Sequence, residues 1–169
     1  INYYKKSVVI NPNFSPAYCN LGIIYDKLNN KDLAIKNYLT AIKVDPKNSN
    51  AHYNLANSDF NIEDFNNAEK HYFFSIDTNS KNIYAYNNLL QIYDRTNDND
   101  KLDKLVGKAK KVFGKNKVIS FFEGISEYKK NNYKKVIELY VDLELDPNDK
   151  IKNIVKSNIL AKCYDHIGK

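Results

Sequence analysis

Asn20, Asn54 and Asn88 stand 34 residues apart, inside AYCNLGIIY, AHYNLANSD and AYNNLLQIY. Each follows an alanine by three residues and precedes a leucine by one. An amide neither attacks nor titrates. Its chemistry is hydrogen bonding: one acceptor oxygen and two N–H donors, the complement of a peptide N–H and C=O. Asparagine is a mediocre helix former, so an amide kept at one phase of a helical pattern needs a use. A second column, Asn48, Asn82 and Asn116, has an obvious one as turn and N-cap residues. The chain holds 26 asparagines, so neither column stands on composition alone.

Other reactive side chains form no constellation. His52, His71 and His166 are scattered, and Cys19 and Cys163 are solitary. No Cys/His cluster suggests zinc, and no cofactor is expected. The five glycines form no phosphate-binding loop, and no Ser/His/Asp or Cys/His set has sequence support. The chain therefore reads as non-catalytic. Two lone cysteines fit a reducing, cytoplasmic compartment. No apolar run is long enough for a membrane span, and the start, INYYKKSVVI, lacks a signal-peptide pattern. The net charge of +6 is concentrated in KLDKLVGKAKKVFGKNK, residues 101–117. Only Phe113 interrupts it with an aromatic ring, which argues against a nucleic-acid stacking platform and for a solvated helix face.

The elements that would position the asparagines follow from periodicity. Glycine and proline are few, at 5 and 4, and apolar residues recur at helical spacing. Counting from Ser15, Tyr18, Leu21, Gly22 and Tyr25 occupy positions 4, 7, 8 and 11. Ala34, Tyr38, Ala41 and Pro46 occupy 20, 24, 27 and 32. Small residues at 8, 20 and 27 let two antiparallel helices approach, and large ones fill the spaces between them. Tyr18, Leu21, Tyr25, Ala34 and Tyr38 are expected to be buried at one seam.

This pattern resembles the tetratricopeptide repeat. Copies are read at 15–48, 49–82, 83–116 and 117–149, the last of them looser. Residues 1–14 read as the second helix of a preceding copy, and 150–169 as the first helix of a further one. Between Pro147 and Leu160 there are four residues more than between Pro46 and Leu55, which predicts an extended helix or a longer loop there. Starting and stopping mid-repeat, with no methionine, reads as a segment of a longer protein. The resemblance implies an all-α fold: a right-handed α-solenoid of antiparallel helix pairs, ten helices and no strand, with the first helix of each pair lining a concave groove.

At 100° per residue, position 6 points away from the packing seam. In the family that the pattern resembles, an Asn there can hold the backbone of an extended peptide. The resemblance thus implies a groove lined by Asn20, Asn54 and Asn88. Position 5 adds Tyr53 and Asn87, and position 13 adds Lys27, Arg95 and Lys129. Phe122 and Ile159 depart from the asparagine column. The expected partner is a protein or extended peptide, with no membrane insertion. Two other roles stay open: self-association through solenoid ends, and a targeting arm of a larger enzyme. The ending LAKCYDHIGK resembles the transition from such arrays into sulfotransferase domains, and similar arrays precede O-linked glycosyltransferases.

Overall fold

The computed structural model describes residues 1–168. Among them are ten helices and no strand: α1 (Asn2–Ile10), α2 (Ser15–Lys27), α3 (Lys31–Val44), α4 (Ser49–Asn61), α5 (Phe65–Thr78), α6 (Ile83–Arg95), α7 (Asn99–Phe113), α8 (Lys117–Lys129), α9 (Tyr133–Tyr140) and α10 (Lys150–His166). The chain divides into two compact units, one of Ile1–Ala85 and one from Tyr86 onward, so the division falls within α6.

In the first unit, helices pack on their sequence neighbours from α1 to α5, and α2 also touches α4. One core cluster joins Ala34, Tyr38 and Leu55; another joins Cys19, Ala41 and Ala51. Leu21, Ala34 and Tyr38 are buried, as the repeat pattern predicts, but Tyr18 and Tyr25 are only half-buried. They sit at the edges of these clusters, packed against their sides. His52 fills the aromatic slot of its repeat and is buried. In the second unit α8 packs on α7, α9 and α10, and α9 packs on α10.

Position 8 shows the interlock most clearly. Gly22 lies against the Tyr38 ring, and a Cβ there would stand 2.5 Å from Cδ1. Gly124 lies against Tyr140 in the same way, with its Cβ site 2.7 Å from the hydroxyl oxygen. The equivalent pairs elsewhere are Ala56 with Tyr72 and Leu90 with Val106, all buried. Where position 24 is a tyrosine, position 8 is Gly or Ala; where position 24 shrinks to valine, position 8 grows to leucine.

The turns repeat too. Asn29, Glu63, Asn97 and Asn131 all have φ between 54° and 61°, and they too stand 34 residues apart. Each reverses the chain between the two helices of a pair, and Asn tolerates the left-handed region better than most residues. The column Asn48, Asn82 and Asn116 caps α4, α6 and α8. Its side-chain oxygens accept from the N–H groups of Ala51 (3.0 Å), Ala85 (3.3 Å) and Val118 (2.9 Å). Asn48 also donates to Ser15 Oγ at 2.7 Å, and Ser15 donates to the Ala41 carbonyl at 2.8 Å, which ties α2, the end of α3 and the start of α4 together.

The fourth copy departs at position 27. There Ala41, Ser75 and Ala109 are small and buried, whereas the fourth copy has Leu143. A leucine cannot occupy a close helix–helix contact without spreading it. Accordingly α9 has only 8 residues and ends at Tyr140, and Leu143 is buried from a non-helical segment. Pro147 further discourages helix at Asp146. The extra residues anticipated here appear both as this irregular stretch and as a 17-residue α10 that begins at Lys150.

Candidate functional site

Candidate surfaces lie on the first helices of the pairs within each unit. In the first unit, α2 presents Asn20 and Lys27, and α4 presents Tyr53 and Asn54. Asn20, Tyr53 and Asn54 are half-buried, and Lys27 is exposed. Their placement off the seam follows from the packing: Leu21 and Gly22, and Leu55 and Ala56, take the buried positions next to them. Asn54 Nδ2 donates to Cys19 Sγ at 3.8 Å, a link between adjacent first helices. Burial pushes the Cys19 thiol pKa up, and the Asn54 contact opposes that shift. Tyr53 leans its ring against Tyr72, with centroids 5.9 Å apart.

In the second unit, α6 carries an amide cluster. Asn87 Nδ2 donates to Asn88 Oδ1 at 3.1 Å, and Gln91 Nε2 approaches the same oxygen at 3.5 Å. Asn87 Oδ1 is buried and has no hydrogen-bond partner, a state that costs about 1–3 kcal/mol of lost solvation. Gln91 leads from this cluster into a cleft of about 370 Å³ among α6, α8 and α10. Phe121, Phe122 and Ile125 form its apolar side, and Asp94, Arg95, Ile151 and Lys152 also line it. Ile151 is 78% exposed.

Two of the position-6 amides are engaged within the chain: Asn54 through its N–H and Asn88 through its oxygen. Among the basic residues of position 13, Lys129 is paired. Lys129 Nζ sits 2.8 Å from Asp94 Oδ1 and 3.4 Å from the Asp94 carbonyl oxygen, so its charge is compensated locally. Gln91, Asp94, Ile151 and Lys152 were not singled out in the sequence. Gln91 was reachable, since it stands three residues after Asn88 on the same helix face. Ile151 was not, because its position depends on where the irregular segment after α9 delivers α10.

Among the described residues, no group of three or more His, Cys, Asp or Glu could hold a metal ion. No helix among them is long and apolar enough to cross a membrane.

Antiparallel helix pairs, interlocked by small and large residues at a 34-residue period, define a helical-repeat protein. The repeat is of one particular kind. Residues 15–48 match the tetratricopeptide repeat family model, and the fold is that of tetratricopeptide-repeat proteins. Solved structures agree. The protein YrrB, described as a TPR protein with an unusual peptide-binding site, is similar with a TM-score of 0.80 at 12% identity, over 98% of this chain and 84% of that one. MamA is similar with a TM-score of 0.69 at 21% identity, over 94% and 87%. PilF of Pseudomonas aeruginosa is similar with a TM-score of 0.73 at 12% identity, over 97% and 79%. A comparison with curated protein sequences finds no match.

Proposed function

We propose that this chain is a protein-interaction module that holds an extended segment of a partner protein against its first helices, and that it binds rather than catalyses. The observation that carries this reading is the α6 amide cluster of Asn87, Asn88 and Gln91, joined through Gln91 to a cleft with an apolar wall. A peptide backbone supplies N–H donors and C=O acceptors in alternation, and its side chains would fill the cleft. Asn20 and Asn54 offer amides at the same repeat position in the first unit. The peptide-binding description of YrrB supports the same use of the fold.

The test is replacement of Asn20, Asn54 and Asn88 by alanine together. Alanine is the better helix former, by several tenths of a kcal/mol per site, and this offsets the few partly exposed hydrogen bonds lost. Stability should stay within about 1 kcal/mol of the parent. Partner affinity should fall by roughly ten- to a thousandfold, at about 0.5–1.5 kcal/mol per hydrogen bond. The measurements are a thermal melt and a binding titration with a partner recovered by pull-down. Unchanged affinity, or a variant destabilised by several kcal/mol, would show that these amides serve the fold and not a ligand.

A further inference from the structure

His52 and His71 come from different helices, α4 and α5, and their Nδ1 atoms lie 3.1 Å apart. The ring centroids are 5.3 Å apart, nearly the full length that this contact and two ring radii allow. The two nitrogens therefore point at each other along one line. A metal ion would need their lone pairs to converge on a third point, so the geometry is that of a shared proton.

The tautomers follow from the neighbours. His52 Nε2 lies 3.0 Å from the Pro46 carbonyl oxygen, which can only accept, so Nε2 carries a proton. In the neutral ring Nδ1 of His52 is then an acceptor, and His71 must donate its Nδ1–H to it. One further proton can be taken up at His71 Nε2 without disturbing this arrangement. A second would have to enter at His52 Nδ1, directly against the His71 N–H, and the contact would break.

We infer that His52 and His71 form a pH-sensitive latch, closed when at most one of them is charged, that fastens α4 to α5 and to the turn after α3. Phe74 stacks on His52 with centroids 4.9 Å apart and planes 18° apart, which closes one face of the ring. The charged neighbours act in opposite senses. Asp45, from the end of α3, favours charge on His52, and Lys70 of α5 opposes charge on His71. Burial is the largest influence on each ring and disfavours charge on both; His71 is pushed down to about 4.

The sign follows. A histidine held below its unfolded pKa adds stability that is fully present above that pKa, about 6.5. It is lost as pH falls from there toward 4, the His71 value in the fold. Charge on His71 thus weakens this part of the fold, and a second proton, on His52, opens the latch and frees α4, the helix that carries Tyr53 and Asn54. The latch itself can be tested without any partner, apart from the proposed function.

The experiment compares the parent chain with His52→Phe and His71→Gln. Phenylalanine keeps an aromatic ring in the repeat's aromatic slot, and glutamine keeps a donor without a titrating group. Thermal melts are recorded across the pH range from about 7 to 4, with NMR titration of the imidazoles of the parent alongside. The parent's melting temperature should fall by about 3–6 °C more than that of either variant. The two imidazole titrations should be displaced below those of the urea-unfolded chain and coupled to each other. Parallel pH courses for the parent and both variants would overturn the latch. So would two histidines that titrate independently at their unfolded values, and this holds even if neither variant folds.

Discussion

Replacing Gly22 by alanine should destabilise the protein, although alanine is the better helix former by about 0.8–1.0 kcal/mol. The new methyl group would stand 2.5 Å from Tyr38 Cδ1 and 3.0 Å from Cζ, well inside ordinary carbon–carbon contact. The ring has little room to retreat. Tyr38 is 1% exposed, packs with Ala34 and Leu55, and donates its hydroxyl to Asp26 Oδ2 at 2.6 Å. Overpacking of this kind costs about 1–3 kcal/mol, and a contact this close belongs at the upper end. Set against the helix-propensity gain, the net loss is about 1–2 kcal/mol, or roughly 2–8 °C in melting temperature for a chain of this size. Urea and thermal unfolding followed by circular dichroism would measure it. A sharper form of the test imports the third repeat's solution, Leu90 with Val106. Gly22→Leu alone should be more damaging than Gly22→Ala. Adding Tyr38→Val should recover more stability than the single changes allow, with a coupling of about 1–3 kcal/mol. A Gly22→Ala variant more stable than the parent, or a double variant that is merely additive, would refute the volume exchange between positions 8 and 24.

Two further outcomes test the turns and caps. Asn29→Gly should leave stability nearly unchanged and Asn29→Ala should lower it by about 1 kcal/mol, because only the alanine resists φ near 57°; equal melting temperatures for the two would contradict this. Asn48→Ala should cost about 1–2 kcal/mol by urea unfolding, since it removes both the cap on the Ala51 N–H and the link to Ser15 Oγ. Ser15→Ala removes the link and leaves the cap, so an unchanged unfolding midpoint for that variant would show that the Ser15 link contributes nothing.

The sequence by itself determined the helical repeat and its seam. Gly22, Ala34 and Tyr38 reveal their roles by type and spacing, because close helix packing tolerates few alternatives at those positions. The N-cap column was equally legible, since an asparagine before a helix has one common use. The left-handed column is not legible in the sequence, because Glu63 interrupts it and a positive φ is a property of the backbone rather than of residue type. Tertiary structure alone decided how the surface side chains pair. Lys129 looks like a groove cation in the sequence, yet Asp94, 35 residues away, holds it. Asn54 looks idle, yet it reaches Cys19 on the neighbouring helix. His52 and His71 look like separate residues of one repeat until α4 and α5 bring their Nδ1 atoms to 3.1 Å. The physical reason is common to all three. Packing at the seam is dictated by residue volume, which a sequence displays. Polar pairing depends on ångström-scale distances between helices, which are set only after the seam has closed.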